Sequence, residues 1–221
     1  DEFWKMIAEQ EQVEKFIEKQ LEDVEVTDEE IQKFYDEQLQ EQKADPDVAL
    51  SAQIKLHIPE GHRRVKHILI ELPEEDREEH NKLLSDEKEK EADEFLKEKL
   101  SKIEPEAKEI LERAKSGEDF EKLIGEYNAD TGMDIEDGYT ISQETNFVEP
   151  FKKAAFDLKN EGDISELVPS EFGYHIIKLY DLPGKDYTLE EKRDLIESFV
   201  EYEQKNQKWT SILEKWEEQA E

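Results

Sequence analysis

Two short stretches decide the fold, RRVKHILI at residues 63–70 and FGYHIIKL at residues 172–179. In the first, Val65, His67 and Leu69 alternate with residues of the opposite face, which is the two-residue period of a β-strand. The second stretch alternates in the same way around His175. Together the two stretches predict two strands of one sheet, each of which projects a histidine.

Four further blocks accompany these stretches, and all six occur in a fixed order. They are KHIL at 66–69, GEDF at 117–120, YNAD at 127–130, FVEPFKKAAF at 147–156, GDIS at 162–165 and FGYHII at 172–177. In this order the blocks resemble the parvulin family of peptidyl-prolyl isomerases over most of residues 64–181. The chain departs from that family at residues 137–141, DGYTI, where parvulins usually carry a GGDLG segment.

The resemblance implies a fold and a chemistry. The fold is α+β, a parvulin domain in which a small antiparallel sheet is surrounded by helices. The activity is cis/trans isomerisation of X-Pro bonds by a non-covalent mechanism that needs no cofactor. The resemblance implies that the catalytic group is His67, Asp130 and His175. It also implies that the side chains that bind the proline are Phe147, Phe151, Tyr139 and Met133.

Taken one at a time, these residues have plainer interpretations. His67 and His175 fit a pair of hydrogen-bonded histidines in a core, and Asp130 fits a turn residue, where aspartate is common. The aromatic residues Phe147 and Phe151 fit ordinary core positions. The shared order of the six blocks favours the catalytic interpretation over these alternatives.

The composition limits the partners. The 221 residues carry 62 acidic and 30 basic side chains, for a formal charge of -32. Such a chain repels phosphate backbones and anionic lipid surfaces, so nucleic acid is not an expected partner. Cysteine is absent, which excludes disulfides and thiolate metal sites. No run approaches the 18 apolar residues of a transmembrane helix.

Helical patterns occupy both ends of the chain. Thr27 and Glu30 form a predicted capping box before a helix that is expected to end ahead of Asp45. Residues 47–57 fit either a short helix or an extended segment. A second capping box at Thr188 precedes an apolar stripe that continues to Trp216, and such a stripe needs a cover in water.

The N-terminal helices are the natural cover for this stripe. We therefore predict a discontinuous all-α domain made of residues 1–62 and 186–221, with the parvulin domain at residues 63–182 inserted in it. This arrangement resembles the extracytoplasmic foldases and chaperones of the PrsA and SurA type. Residues 71–104 are predicted to be an acidic insertion that extends or precedes the first parvulin helix, with a solvated charge run as the alternative.

The sequence offers two candidate metal sites, and neither is expected to bind a metal. His57, His62 and His67 are five residues apart, a spacing that aligns them on neither a helix nor a strand. Residues 128–139 have some features of a calcium loop, but the positions that need glycine and glutamate hold Met133 and Tyr139.

The expected partners are unfolded or partly folded polypeptides that contain X-Pro. Basic ones should be favoured, because the chain is acidic and residues 68–76 after His67 contain no cation to pair with a phosphate. A binding chaperone with an idle parvulin module is the main alternative, and a structural protein that dimerises through its terminal helices is a weaker one. A homodimer is left open.

The resemblance also implies an extracytoplasmic location. Because the chain begins at Asp1 rather than at Met, we expect that a targeting signal has been removed, and attachment to the membrane by a lipid anchor fits this picture. A cytoplasmic location is the alternative that the sequence leaves open.

Overall fold

The computed structural model describes the backbone of residues 2–220 and the side chains of residues 11–219. Within that range the helices are α1 (Glu2–Leu21), α2 (Asp28–Ala44), α3 (Pro46–Ser51), α4 (Glu74–Ser85), α5 (Glu89–Lys115), α6 (Phe120–Tyr127), α7 (Glu149–Asp157) and α8 (Leu189–Ala220). The strands are β1 (Arg63–Glu71), β2 (Tyr139–Ile141), β3 (Val168–Ser170) and β4 (Gly173–Asp181). The predicted α+β class is confirmed.

The four strands form one antiparallel sheet in the order β2-β1-β4-β3. The two long strands, β1 and β4, lie side by side at its centre. Their register pairs His67 with Ile177 and Leu69 with His175. The two histidines are therefore diagonal neighbours on one face of the sheet, within reach of each other's side chains.

The two faces of the sheet bury different sets of side chains, because successive residues of a strand point in opposite directions. On one face Ile68 and Ile176 pack with Ile110 of α5 and Leu123 of α6. On the other face, which carries the histidines, a second cluster centres on Phe151 of α7. Helices α5 and α6 thus cover one side of the sheet, and α7 covers part of the other.

The segment after β1 is helical and ordered. Helix α4 begins after Pro73, and His80 is its one buried residue. Helix α5 then continues without a break through Pro105. A proline inside a helix removes the N–H that the carbonyl four residues earlier would accept. Here Pro105 and Ser101 are both exposed, so water can reach the freed carbonyl. Within the predicted insertion at residues 71–104, α4 is a separate helix, and the first part of α5 is continuous with the helix that ends at Lys115.

The chain divides into two compact units, residues 58–185 and residues 1–57 with 186–221. The second, helical unit has a small core in which Ile31, Leu56 and Ile196 are each at most 1% exposed. Both capping boxes form, with Glu30 bonded to the Thr27 backbone and Glu191 bonded to the Thr188 backbone. Of residues 47–57, left open by the sequence, the first five belong to helix α3, which follows an Asp45 cap, and the rest are not helical. Across the described helices, no stretch is long and apolar enough to span a membrane.

Candidate functional site

The site begins with the two histidines at the centre of the sheet. His67 is 2% exposed and His175 is 5% exposed, and their rings stack with centroids 5.3 Å apart. The turn that leads into β4 requires a glycine, because Gly173 has φ +141° and its Cβ position would lie 2.1 Å from the Ile70 carbonyl oxygen. A side chain at Gly173 would push β4 away from β1. The close pairing of the histidines depends on this glycine.

A chain of short hydrogen bonds joins five side chains through the histidines. His67 Nε2 lies 2.9 Å from Asp130 Oδ2, and the Tyr139 hydroxyl donates to the same oxygen at 3.0 Å. His67 Nδ1 lies 3.2 Å from His175 Nδ1. His175 Nε2 lies 2.7 Å from the Ser170 hydroxyl. The site is therefore one connected polar network that joins all four strands of the sheet and the loop after α6.

The network fixes where each proton sits when both rings are neutral. A carboxylate only accepts hydrogen bonds, so His67 Nε2 must donate to Asp130. His67 Nδ1 then accepts from His175 Nδ1–H, and His175 Nε2 accepts from the Ser170 hydroxyl. That hydroxyl oxygen in turn accepts from the Phe172 backbone N–H at 3.1 Å. Each of these groups has a matching partner, which holds both imidazoles in single orientations.

The charges of the network follow from burial and hydrogen bonding. Burial, and then the neighbouring His67, lower the pKa of His175 to about 3, so this imidazole is neutral at physiological pH. The bond from His67, with further bonds from Gly132 and Tyr139, lowers the pKa of Asp130 to about 2. Burial and the bond to Asp130 raise the pKa of the Tyr139 hydroxyl. The site thus joins the neutral His175 imidazole, through the His67 ring, to one carboxylate.

An apolar slot adjoins this network. Phe147 and Phe151 stack with ring centroids 5.0 Å apart, and Phe151 turns its edge toward His67 at 5.1 Å and His175 at 5.4 Å. Both phenylalanines, both histidines and Asp130 line one cleft of about 550 Å³. A proline ring in this cleft would contact the aromatic slot and the imidazoles at the same time.

The structure brings together five of the seven residues predicted for the site and sets two behind it. Tyr139 does not line the cleft; its ring meets Phe147 edge-on at 4.9 Å and its hydroxyl holds Asp130. Met133 is 5% exposed, packs in the cluster around Ile68, and its sulfur accepts from the His67 N–H at 3.4 Å. These two residues support the lining side chains.

Three residues of the site were missed. Ser170 ends the hydrogen-bond chain, Phe172 lines the cleft on the β3–β4 turn, and Arg77 of α4 lines its other side beside Glu71. The guanidinium and Glu71 form an ion pair at 3.5 Å. Residues 68–76 contain no cation, but Arg77, directly after them, does line the cleft. Two of these residues could have been found from their positions in the sequence. Arg77 directly follows the acidic run, and Ser170 precedes His175 by one hairpin turn.

Among the described residues, no three or more histidine, aspartate or glutamate side chains converge as metal ligands would. His67, His175 and Asp130 use their ring nitrogens and carboxylate oxygens on one another, on Tyr139, on Gly132 and on Ser170.

Comparison with known proteins identifies the family. The family model described as a rotamase, the PPIC-type PPIASE domain, matches residues 67–181, which is more than half of the chain. Foldase protein PrsA 2 of Listeria monocytogenes is 35% identical over 111 residues, which are 49% of this chain and 38% of that protein. Foldase protein PrsA of Clostridium botulinum is 37% identical over 124 residues, 53% of this chain and 36% of that protein.

Solved structures of related proteins are similar over more of the chain. The crystal structure of PrsA from Bacillus subtilis covers 98% of this chain and 64% of its own, at 24% identity and a TM-score of 0.36. A structure from a study of SurA-like chaperones of Campylobacter jejuni covers 97% of this chain and 72% of its own, at 22% identity and a TM-score of 0.34. With TM-scores this low, the sequence matches carry the family assignment. The chain belongs to the PPIC-type peptidyl-prolyl isomerases, the parvulins, in the group that includes the PrsA foldases.

Proposed function

We propose that this protein catalyses cis/trans isomerisation of X-Pro bonds in unfolded or partly folded polypeptides. The observation that carries the proposal is the hydrogen-bonded pair His67 and His175, which lies directly against the aromatic slot of Phe147 and Phe151. The Phe151 ring meets both imidazoles edge-on, so an X-Pro bond in the cleft would lie against apolar and polar groups together.

The proposed mechanism lowers the cost of losing amide resonance. That resonance makes the planar amide polar and sets a rotation barrier of about 18–20 kcal/mol. An apolar slot that encloses the proline ring stabilises the less polar, twisted amide relative to the planar one. His67, His175 and Asp130 would orient the peptide and offer hydrogen bonds to the rotating amide. No bond is broken, so the mechanism requires no nucleophile or cofactor.

A standard assay tests the proposed activity. The whole chain at micromolar concentration should accelerate the cis-to-trans conversion of a tetrapeptide that contains Ala-Pro, followed by the appearance of a protease-cleavable trans product. Heat-inactivated protein supplies the control. A rate equal to that of the uncatalysed reaction would reject the enzyme and favour a binding chaperone.

The helical unit favours a second, compatible role as a chaperone. On α1 and α8, Phe16 and Trp216 are each more than 40% exposed and their rings lie 5.8 Å apart. Val13 is 57% exposed on the same helix as Phe16. We propose that this unit binds unfolded chains, as a domain assembled from residues 1–62 and 186–221 around an inserted parvulin domain at 63–182. Suppression of aggregation by a variant without isomerase activity would support this role, and loss of both activities together would oppose it.

We further propose that basic segments are preferred. Glu71 and Glu171 lie on the cleft rim against the single cation Arg77, among the described residues that line it. The whole chain carries a formal charge of -32, and its field extends over a screening length of about 8–10 Å at physiological salt. Lysine or arginine near the proline should therefore raise apparent affinity, while the rotation rate of the bound peptide changes little.

Ionic strength provides the measurement. Lys-flanked Ala-Pro peptides should show a KM several-fold below that of Glu-Pro peptides at low salt, and the difference should shrink as salt rises. The variant Arg77→Gln should widen the difference, because it removes a cation from the rim. A Glu-Pro or phosphoserine-Pro peptide that binds best at low salt would contradict the proposal.

We propose an extracytoplasmic location, in keeping with the PrsA-type sequence matches. Attachment through a lipid anchor is part of this proposal. Protease accessibility of the protein in intact cells is the test. A protein that is degraded only after cell lysis would contradict this location.

A further inference from the structure

Tyr139 links the aromatic slot to the hydrogen-bond chain without lining the cleft. Its ring supports Phe147 edge-on, at a centroid distance of 4.9 Å and an interplanar angle of 65°. Its hydroxyl donates to Asp130 Oδ2 at 3.0 Å, and this is the same oxygen that accepts from His67 Nε2 at 2.9 Å. One carboxylate oxygen therefore serves two donors.

The carboxylate of Asp130 is also held from its other side. The Gly132 backbone N–H donates to Oδ1 at 2.9 Å. Asn128 bonds to both the backbone N–H and the carbonyl of Asp130. The backbone and Oδ1 are thus anchored by the loop itself. Among the described side chains, only His67 and the Tyr139 hydroxyl bond to Oδ2.

A carboxylate oxygen that accepts two hydrogen bonds shares its negative charge between them. Each donor is then held less strongly than it would be alone, and protonation of the nearby imidazole is favoured less. Protonated His67 would donate from both nitrogens, so His175 Nδ1 would have to become an acceptor. The bonds from His67 to Ser170 would then reverse direction, and the neutral arrangement of the site would be lost.

We propose that Tyr139 is a positioning residue of the isomerase, which aims Asp130 at His67 and so keeps the hydrogen bonds of the chain running from Ser170 through the two imidazoles to Asp130. This inference rests on the proposed isomerase function. Tyr139 acts here through Asp130 and Phe147 and does not touch the substrate. Its sequence position fits the departure from the family pattern at residues 137–141.

The pH dependence follows from the groups that face the histidine pair. These groups are Asp130 from the loop after α6, Tyr139 from β2, and the charged side chains Glu71, Arg77 and Glu171 at the cleft rim. The rim groups are unchanged by a substitution at Tyr139. A difference between the wild type and a Tyr139 variant therefore reports the bond to Asp130.

The variant Tyr139→Phe keeps the ring against Phe147 and removes the hydroxyl. We expect kcat to fall about 3- to 10-fold, KM to change less than about 2-fold, and the acid limb of the pH–rate profile to move up by roughly 0.5–1 pH unit. The matched control is Tyr127→Phe, which removes a 2.6 Å bond to Arg113 on the other side of the sheet. That variant should leave the profile unchanged.

A second readout does not depend on activity. In protein labelled with ¹⁵N-histidine, Tyr139→Phe should shift the protonation midpoint of the His67 ring upward, and Tyr127→Phe should not. An unchanged midpoint and an unchanged rate in Tyr139→Phe would overturn the inference, as would an equal shift in both variants. If wild-type protein lacks isomerase activity, the proposed function fails, while the nuclear magnetic resonance titration still tests whether Tyr139 controls the pair.

Discussion

Replacing His67 with alanine is expected to lower kcat/KM for an X-Pro peptide by roughly 10- to 100-fold. The change removes the imidazole that faces the aromatic slot. It also leaves the His175 Nδ1–H without its acceptor, at a residue that is 5% exposed. One buried donor without a partner costs about 1–3 kcal/mol, so the variant should be less stable yet still folded. His175→Ala should also reduce the rate, because it removes the ring that holds the His67 tautomer.

The matched control is His62→Ala in the same unit. His62 precedes β1, is half-buried, and bonds only locally to the Glu60 carbonyl oxygen at 3.2 Å. Its removal should change neither the rate nor the thermal unfolding midpoint appreciably. Far-ultraviolet circular dichroism checks that each variant is folded. Wild-type turnover by a folded His67→Ala protein would remove the histidine pair from the proposed mechanism.

Replacing Ile196 with alanine should destabilise the helical unit by about 2–5 kcal/mol and leave isomerase activity intact. Ile196 is fully buried with Ile31 and Leu56, so the shorter side chain leaves a cavity in a core with few other members. The three tryptophans, Trp4, Trp209 and Trp216, all belong to this unit. Their fluorescence therefore follows its unfolding in urea, while activity follows the parvulin unit.

The adjacent residue supplies the control. Leu195 is 50% exposed, and Leu195→Ala should change the free energy of unfolding by less than about 0.5 kcal/mol.

A fragment of residues 63–182 should fold alone, whereas residues 1–62 should not, because the core around Ile31 requires Ile196 of α8. Loss of activity at the same urea concentration as the fluorescence change would show that the two units unfold as one.

The parts of the fold that could be predicted were those with a regular pattern. Alternation around His67 and His175 predicted two strands, and these became the central pair β1 and β4. Both capping boxes form at Thr27 and Thr188. Helix α4 has only His80 buried, so it lacks an apolar stripe from which a helix could be predicted. It is ordered by its packing against α5, which residue types alone do not reveal.

In the site, too, the sequence identified residues, but their exact roles depend on the geometry. The resemblance supplied the histidines, Asp130 and both phenylalanines, and these lie together in the cleft. It could not tell a side chain that lines a pocket from one that stands behind it, as Tyr139 and Met133 do. Ser170 belongs to a strand of only three residues, and its residue type alone does not indicate a role in the site. Only the hairpin geometry brings its hydroxyl to His175.

The ends of the parvulin unit lie side by side. The Ile58 N–H donates to the Lys185 carbonyl at 2.9 Å, and the Gly184 N–H donates to the Ile58 carbonyl at 2.8 Å. Once residues 58–185 have folded, residues 57 and 186 are held together as if by a cross-link. The entropy of closing so long a loop, on the order of 4 kcal/mol plus a constant, is then no longer a cost of assembling the helical unit. Folding of the inserted unit therefore brings the two parts of the helical unit together. We expect α2 to pack against α8 only after β4 has paired with β1.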